Sequence, residues 1–488
     1  MIAALLALAC ASKPDRAVPV PVQWSEEAIE REAPKLRAGL AALPDAPPAE
    51  RPSVVLIVLD TTRADLLAAY GGGGLMPRLD AFAADSRVYT RMRSTAPWTL
   101  PSHASLFTGL SSLEHGAVGS PPGSDFAAYG LRADVPTLAE RLGEAGWRTV
   151  GIAANKAFLA SEWGLLRGFQ LWACERLSAG VTRSYVQGDV ITALARTALE
   201  QTPPDRPLFL FLNFMEPHTP WTPREGYTAH PDRINPALLP RGPGFWRAAP
   251  GQWKRVNDEI LSGSRDATPE ELATWREAYQ AEARFLDERL GQLFDALAAA
   301  GHGPEDYTII LGDHGEFLGE HRLIEHSKDV YEEALRVPLI IRGPGFAPGV
   351  DDGPITTRDV PELLLAALGL APLSAEPPRP ALQVAELYYT RQKNLRSPAM
   401  LARFNRVRRA FVLGDHKLIL SSDGQDEAYD LVNDPQEQSS ILLSAPWVTE
   451  LRALAEAWLG AHTAGQGEPL RLSAEQAERL EALGYVDP

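Results

Sequence analysis

Four short apolar runs constrain the fold of this chain more than any other feature of its sequence. They are rich in β-branched, leucine and aromatic residues, which is the pattern of strands buried on both faces of a sheet; the runs are 54–59, 148–154, 208–214 and 307–311. Segments with helical spacing lie between them. The sequence therefore predicts an α/β fold with a mostly parallel central sheet flanked by helices.

The domain boundaries follow from length and local composition. The chain has 488 residues, which suits one large domain and a smaller one. Residues 371–382 are rich in proline and indicate a linker. We predict a large domain over 51–370, a smaller C-terminal α+β subdomain over 383–488, and a leader with a tether over 1–50. The tether is expected to contain one short helix near residues 25–43.

The N-terminal end and the overall charge restrict location and partners. Residues 1–9 are apolar, and the Ala-Leu-Ala-Cys that ends at Cys10 is similar to a bacterial lipoprotein cleavage box, although no basic residue precedes it. We predict a signal peptide, lipid attachment at Cys10 and a periplasmic or cell-envelope location; a plain apolar N-terminus is the alternative. Membrane contact would occur only through that anchor. The net charge of -16 argues against nucleic acid as a partner.

Polar residues with metal-binding and acid–base chemistry follow three of the four runs. Asp60 comes directly after the first run, His218 lies between two prolines after the third, and Asp313 and His314 follow the fourth. In an open α/β sheet, ligands bind beyond the carboxyl ends of the strands. An acid at such a position is often a helix cap and a lone histidine is often structural, but convergence on one sheet edge favours a site.

The segment 96–109 is predicted to be a loop that becomes a short helix. Proline disfavours helix before it and suits a first helical turn, and Gly109 is a natural end. This places the Thr99 hydroxyl near the positive end of a helix, where an anion or a nucleophilic oxygen is stabilised. A simple helix-capping role for Thr99 is the alternative.

Three segments resemble the sulfatase family of the alkaline-phosphatase-like superfamily. Residues 99–103 read Thr-Leu-Pro-Ser-His, where sulfatases have Cys or Ser, any residue, then Pro-Ser-Arg. Residues 312–315 read Gly-Asp-His-Gly, and residues 331–341 read Tyr-Glu-Glu-Ala-Leu-Arg-Val-Pro-Leu-Ile-Ile, both close to the family pattern. Sulfatases oxidise their Cys or Ser to formylglycine, a route that threonine cannot follow. Thr99 and His103 are therefore departures at the nucleophile and at the residue that steadies it.

The resemblance implies a metal site. It assigns Asp60, Asp313 and His314 as ligands of one divalent ion, Mn²⁺, Zn²⁺ or Ca²⁺, with the Thr99 oxygen as a further ligand. Carboxylate with imidazole suits Mn²⁺ or Zn²⁺ better than Ca²⁺. The family often has a second Asp after the first, and this chain has Thr61 there. The loss of that carboxylate indicates a single-metal site.

The resemblance also implies roles for five other residues. His218 matches a family histidine that contacts substrate or protonates the leaving oxygen. His103, Lys156, and either His326 or Lys328 would stabilise the negative charge, and the spacing does not choose between the last two. Lys156 is equally consistent with a solvated surface lysine.

These assignments predict a metal-dependent hydrolase that cleaves sulfate or phosphate esters through Thr99. Its substrate would be a sulfated or phosphorylated small molecule, glycan or lipid head group. Because formylglycine cannot form, phosphate esters are chemically favoured, whereas the family favours sulfate. The alternatives are a phosphodiesterase or phosphotransferase without sulfatase activity, and a non-catalytic anion-binding pseudoenzyme.

Overall fold

The structure, a computed structural model, describes residues 22–44, 51–124, 126–174, 186–203, 205–221, 223–239, 252–375, 378–390, 397–471 and 473. Cys10 and the predicted leader lie outside these residues. Within this part of the chain, no helix combines the length and the apolar character needed to cross a membrane.

A twisted central sheet of eight strands, counted over the described residues, forms the middle of the large domain. In chain order its strands are β1 (Val54–Leu59), β2 (Arg87–Tyr89), β5 (Arg148–Ala153), β6 (Leu171–Ala173), β7 (Leu208–Phe214), β8 (Tyr307–Gly312), β11 (Leu339–Arg342) and β12 (Gly349–Asp351). Their spatial order is β12-β2-β11-β8-β1-β7-β5-β6. β11 runs antiparallel to both of its neighbours, and the other pairs are parallel.

The four predicted runs are the four central parallel strands β8, β1, β7 and β5. Every residue of these strands is buried, which explains why their sequences are continuously apolar instead of alternating. The predicted α/β class with a mostly parallel sheet is confirmed.

Helices pack around this sheet. The twelve helices of the described segments are α1 (Val22–Ala42), α2 (Pro77–Ala84), α3 (Thr99–Thr108), α4 (Ser112–His115), α5 (Leu138–Glu144), α6 (Gly188–Glu200), α7 (Gln252–Leu261), α8 (Pro269–Ala299), α9 (Glu332–Leu335), α10 (Asp359–Ala367), α11 (Pro398–Phe404) and α12 (Pro446–Ala461). One group consists of α1, α6, α8 and α2 in successive contact, and a second consists of α5, α3 and α10.

The N-terminal helix departs from the prediction of a tether. α1 covers nearly the predicted residues, but it packs along α6, with Ala28, Leu36 and Leu40 buried in the main core. The apolar spacing of this helix gives it a stripe to bury, so residues 22–42 are part of the large domain's packing.

The C-terminal subdomain has its own sheet and a small core. Strands β14 (Leu382–Tyr388), β15 (Val407–Leu413), β16 (His416–Ser421) and β17 (Glu427–Asp430) form an antiparallel meander on which α12 packs. Short strand pairs complete the described structure: β3 (Met92–Arg93) with β13 (Ile355–Thr356), β9 (Phe317–Leu318) with β10 (Ile324–Glu325), and β4 (Ala128–Gly130) with β18 (Glu468–Leu470). Because β18 pairs with β4, the chain returns from the subdomain to the large domain.

Candidate active site

Strand pairing brings the acidic residues of two distant segments together. β1 lies between β7 and β8, and Leu59 is level with both Phe214 and Gly312. Asp60 and Asp313 therefore emerge side by side from the same edge of the sheet, as the sequence predicts. The Asp313 Oδ1 atom accepts hydrogen bonds from the backbone N–H groups of Thr61 at 3.1 Å and His314 at 2.8 Å, which fix that carboxylate.

Asp60, Asp313 and His314 form a buried cluster of the composition expected for a metal site. One ligand atom from each residue lies within 4.8 Å of the others. His314 Nε2 is 3.6 Å from Asp60 Oδ1 and 3.5 Å from Asp313 Oδ2. The Nδ1 atom of His314 donates to the carbonyl of Gly315 at 3.0 Å, so in a neutral ring the lone pair belongs to Nε2, which faces the carboxylates.

The electrostatics of the cluster favour a cation. Burial, followed by the neighbouring charge of Asp60, raises the pKa of Asp313 well above its ordinary value. Among the described residues, the buried Oδ2 atom of Asp313 has no hydrogen-bond partner. Two adjacent buried carboxylates and an imidazole nitrogen are the donor set that Mn²⁺ or Zn²⁺ accepts, so the residues present fit the divalent ion that the sequence predicts.

Thr99 is the first residue of α3, and its side chain contacts this cluster. Its Oγ1 atom lies 3.3 Å from His314 Nε2. The N-cap of the helix is the extended residue Trp98, so Thr99 does not take the capping position. One turn later, the Ser102 hydroxyl donates to the carbonyl of Asp313 at 2.6 Å and ties the helix to the end of β8.

His103 stabilises the first turn of α3, which begins at Thr99. Its Nδ1 atom donates to the Thr99 carbonyl at 2.9 Å and lies 3.5 Å from Asp313 Oδ2. Complete burial lowers the pKa of His103 to about 4, and the Thr99 bond opposes this only in part. The imidazole is therefore neutral at pH 7, unlike the arginine that the family has at this position.

Two further histidines extend the site from His314, with His326 in contact with both His314 and His218. The ring centroid of His326 is 4.6 Å from that of His314 and 4.7 Å from that of His218. All three rings are buried. His218 directs Nδ1 to the carbonyl of Thr219. His326 bonds Glu316 Oε1 through Nδ1 at 2.9 Å.

The two candidate lysines are placed differently. Lys328 donates to Glu325 Oε2 at 3.1 Å and to the carbonyl of His326 at 3.2 Å, two groups of its own segment. Of the two basic residues that the spacing left open, His326 packs its ring against His314 and His218. Lys156 is buried beyond the end of β5, and its charge acts on the buried thiol of Cys174.

Sequence reasoning gave no role to two residues that hold the site. Asn155 Nδ2 donates to Asp60 Oδ2 at 3.1 Å, and its backbone N–H donates to Asn213 Oδ1 at 2.9 Å. Glu316 is the partner of His326. Their position beyond strand ends was the available signal, because Asn155 follows β5 and Glu316 follows β8 by only a few residues.

Comparison with known proteins identifies the family. The sequence profile described as Sulfatase matches residues 52–370. The uncharacterized sulfatase YidJ of Escherichia coli strain K12 is 23% identical over 451 residues, covering 80% of this chain and 83% of that protein. The arylsulfatase of Clostridium perfringens is 23% identical over 470 residues, covering 81% of this chain and 91% of the arylsulfatase.

Solved structures show the same fold. The phosphonate monoester hydrolase of Agrobacterium radiobacter superposes with a TM-score of 0.62 at 21% sequence identity, covering 84% of this chain and 95% of that one. The large α/β domain with a small antiparallel C-terminal sheet is thus the alkaline-phosphatase-like fold that the sequence predicts.

Proposed function

This chain belongs to the sulfatase family of ester hydrolases, and we propose that it cleaves sulfate or phosphate esters with Thr99 as the nucleophile and one bound divalent metal ion. The observation that carries the proposal is the position of Thr99. Its hydroxyl oxygen lies 3.3 Å from His314 Nε2, within the cluster that His314 forms with Asp60 and Asp313. A reactive oxygen beside two carboxylates and an imidazole is an arrangement for metal-assisted attack.

Asp60, Asp313 and His314 would hold the ion, with the Thr99 oxygen as a further ligand. When bound, a divalent ion lowers the pKa of a coordinated hydroxyl and neutralises charge on the oxygens of the substrate anion. The protein contributes the fixed geometry. Two backbone amides hold Asp313, Asn155 holds Asp60, and the Gly315 carbonyl sets the tautomer of His314.

The covalent chemistry falls to Thr99 and His218. Thr99 gives its hydroxyl proton to water, and its oxygen forms a bond to phosphorus or sulfur while the bond to the alcohol oxygen breaks. His218 gives that leaving oxygen a proton. Water then attacks the phosphorus or sulfur of the Thr99 ester, and the bond to the Thr99 oxygen breaks. The water's hydroxyl leaves with the released sulfate, phosphate or phosphonate and its other proton restores the Thr99 hydroxyl, while solvent returns a proton to His218. The His218 bond to Thr219 uses Nδ1, so Nε2 is the nitrogen that would carry the transferred proton.

The remaining polar residues would bind the anion or position the nucleophile. His326, beside His314 and His218, is suited to contact the transferred group, and Lys156 is a second candidate. We assign His103 a positioning role, because its bond to the Thr99 carbonyl fixes the first turn of α3. Lys328 is directed to Glu325 and would act on the charge at longer range.

Threonine favours phosphate over sulfate as the transferred group. It cannot become formylglycine, so turnover requires direct hydrolysis of a threonine ester. A single metal and a Thr nucleophile suit phosphate monoesters, diesters or phosphonates, carried by a small molecule, a glycan or a lipid head group. A location outside the cytoplasm, with or without lipid attachment at Cys10, is the setting we propose for such a substrate.

The test compares initial rates on 4-nitrophenyl sulfate, 4-nitrophenyl phosphate and bis(4-nitrophenyl) phosphate with Mn²⁺, Zn²⁺ or Ca²⁺. We expect phosphoester turnover, and we expect Thr99→Ala to lower kcat by at least about 10³-fold because it removes the attacking atom. Thr108→Ala is the matched control. It removes a buried threonine from the other end of α3, where the hydroxyl donates to the Ala104 carbonyl at 2.6 Å and accepts the backbone N–H of Leu110 at 3.3 Å.

Each outcome decides between the candidate functions. Full activity of Thr99→Ala would rule out the nucleophile. Turnover of the sulfate alone would identify a sulfatase that uses unmodified threonine. Tight binding of phosphate without turnover under every metal would instead identify a non-catalytic anion-binding protein. Mass spectrometry of acid-quenched enzyme should detect a phosphoryl group on Thr99 and none on the alanine variant.

A further inference from the structure

The segment 325–329, which carries His326, has an unusual backbone. The residues on both sides of His326 are in the left-handed region, with φ of +64° at Glu325 and +57° at Ser327. Neither is glycine, and this conformation is unfavourable for residues with a Cβ atom. Such a conformation persists where surrounding contacts impose it, and it concentrates at functional sites.

Contacts from the large domain hold the first part of this segment, because Glu325 pairs with Phe317 between β9 and β10 and His326 Nδ1 bonds Glu316 Oε1 at 2.9 Å. The Ser327 N–H donates to the carbonyl of Pro97, just before the nucleophile helix, at 2.9 Å. Lys328 bonds Glu325 and the His326 carbonyl within the segment itself. The Pro97 bond connects the His326 turn to the Thr99 loop, and other elements contact the C-terminal end of the segment at Asp329.

The C-terminal subdomain holds that end. Asp329 receives Arg408 Nε on Oδ1 at 3.0 Å and Arg406 Nη2 on Oδ2 at 3.0 Å. Both arginines flank the start of β15, and Arg408 is completely buried. Thr390, just after β14, donates to the Ser327 carbonyl at 2.7 Å. The segment is therefore fixed between the Thr99 loop and the C-terminal sheet.

Arg408 is itself firmly positioned. Its Nη2 atom bonds Glu427 Oε1 at 2.7 Å on β17, and its Nη1 atom bonds the Gln425 carbonyl at 3.0 Å. A guanidinium group held by three partners in one plane gives Asp329 a single position. A shift of this pair would move the His326 backbone three residues away.

We propose that Arg408 and Asp329 are positioning residues of the active site: the C-terminal sheet, through this buried ion pair, holds the left-handed turn that packs the His326 ring between His314 and His218. The proposal rests on the proposed function for its catalytic consequence. It makes the small subdomain a required part of the reaction centre, although it contributes none of the proposed nucleophile or metal ligands. Arg408 and Asp329 act through His326 and do not contact the reacting atoms.

The test uses the full-length protein with Arg408→Gln and Asp329→Asn, and Arg409→Gln as the matched control. Arg409 is the next residue of β15 and also pairs with a buried carboxylate, Glu386 at 2.9 Å. Within the described part of the chain, its side-chain hydrogen bonds go to Glu386 and to the Tyr388 hydroxyl, outside the His326 segment. Asp329→Asn keeps the size and the acceptor oxygen, so it should fold even where Arg408→Gln does not. Arg408→Lys tests whether a retained charge restores function.

We expect kcat on the phosphoester to fall by roughly 10- to 100-fold in Asp329→Asn and Arg408→Gln, since small misplacements have effects of this size. KM should change much less, and Arg408→Lys should recover part of the loss. Hydrogen exchange should increase at residues 325–330 in these two variants and not in Arg409→Gln. Mn²⁺ affinity should stay at the wild-type value, because the metal ligands are untouched.

Two results would overturn the proposal. The first is unchanged kcat in a folded Asp329→Asn or Arg408→Gln enzyme, and the second is an equal loss of kcat in Arg409→Gln. Absence of turnover in the wild-type protein would refute the proposed function instead. In that case unchanged hydrogen exchange at 325–330 in Arg408→Gln would separately refute the positioning role.

Discussion

At the scale of single residues, the candidate site depends on side chains that orient the ligands. Asn155 is the clearest example, because it connects two strand ends. Its amide donates to Asp60 Oδ2, while its Oδ1 atom accepts the backbone N–H groups of Ala157 and Phe158, both at 3.1 Å. The Asn155 side chain is thus fixed by hydrogen bonds to its Oδ1 atom, and its Nδ2 atom in turn orients the Asp60 carboxylate. Hydrogen bonds to ligating carboxylates tune metal affinity in this way.

We predict that Asn155→Ala lowers the affinity for Mn²⁺ or Zn²⁺ by roughly 10- to 100-fold, because Asp60 loses the donor that orients it. Isothermal titration of the metal-free protein measures the change. Asn235→Ala is the control, since Asn235 caps a short helical turn at Ala237 and bonds Glu270, away from the cluster. Equal metal affinities for Asn155→Ala and wild type would show that Asp60 needs no such support.

At the scale of elements, the N-terminus of α6 is joined to the turn that carries His218. Glu216 is completely buried, and its Oε1 atom accepts the N–H of Gly188, the first residue of α6, at 3.0 Å. Arg224 reaches the same oxygen at 3.3 Å and pairs with Glu282 on α8 at 2.8 Å. The guanidinium group of Arg224 is therefore shared by two buried carboxylates. One of them, Glu216, lies two residues before the proposed general acid, His218.

This shared charge has a consequence for stability. Burial raises the pKa of Glu216 from 4.5 to about 7, and Arg224 opposes the shift only in part. Between these two values the folded protein binds more protons than the unfolded chain, so stability falls as pH rises and levels off above pH 7. Each unit of this elevation corresponds to about 1.4 kcal/mol.

Glu216→Gln should remove that pH dependence. We expect the free energy of unfolding of the variant, relative to that of the wild type, to increase as pH rises from 5 to 8. Glutamine does not ionise, so the variant lacks the loss of stability that ionisation of Glu216 causes in the wild type. Urea denaturation at each pH provides the measurement. Parallel curves for the two proteins would contradict the assignment of this titration to Glu216.

At the scale of the whole molecule, buried charges join the C-terminal sheet to the large domain. Lys417 on β16 lies 3.0 Å from Glu332 on α9 and 2.8 Å from Glu437. Arg93 on β3 completes the group by pairing with Glu332 at 2.9 Å. Burial alone would lower the pKa of Lys417, but Glu437 and Glu332 raise it, so the lysine is charged. The Tyr-Glu-Glu motif at 331–333 therefore supplies a contact between domains.

We predict that Lys417→Met lowers the free energy of unfolding by about 3 to 5 kcal/mol. The reason is that the buried carboxylates of Glu332 and Glu437 would lose the ammonium group that lies between them. Lys35→Met is the control. Lys35 also pairs with a carboxylate, Glu32 at 2.8 Å, but its side chain is 63% exposed, and such pairs contribute about 0–1 kcal/mol. Similar losses in the two variants, measured by chemical denaturation, would contradict a special role for the buried group.

Much of the site was predictable from sequence because its residues follow buried parallel strands. The carboxyl ends of such strands meet at one edge, so Asp60, Asp313 and His314 could be assigned to one cluster from their positions alone. The capping box of Thr268 and Glu271, with Pro269 at the first helical position, likewise marks the start of α8. The capping box is a local pattern, and the strand ends follow from the apolar pattern of the strands, so both can be recognised in the sequence.

Tertiary structure alone decided which basic residue joins the histidine cluster. His326 and Lys328 are two residues apart in sequence, and either could reach the site from an ordinary loop. Their directions accompany left-handed backbone at Glu325 and Ser327, in a segment that Arg408, about 80 residues later in the chain, contacts at Asp329. The sequence determines where strands end and which chemistry follows them, because apolar periodicity is local; the direction of a loop side chain depends on contacts between distant segments, which no local pattern records.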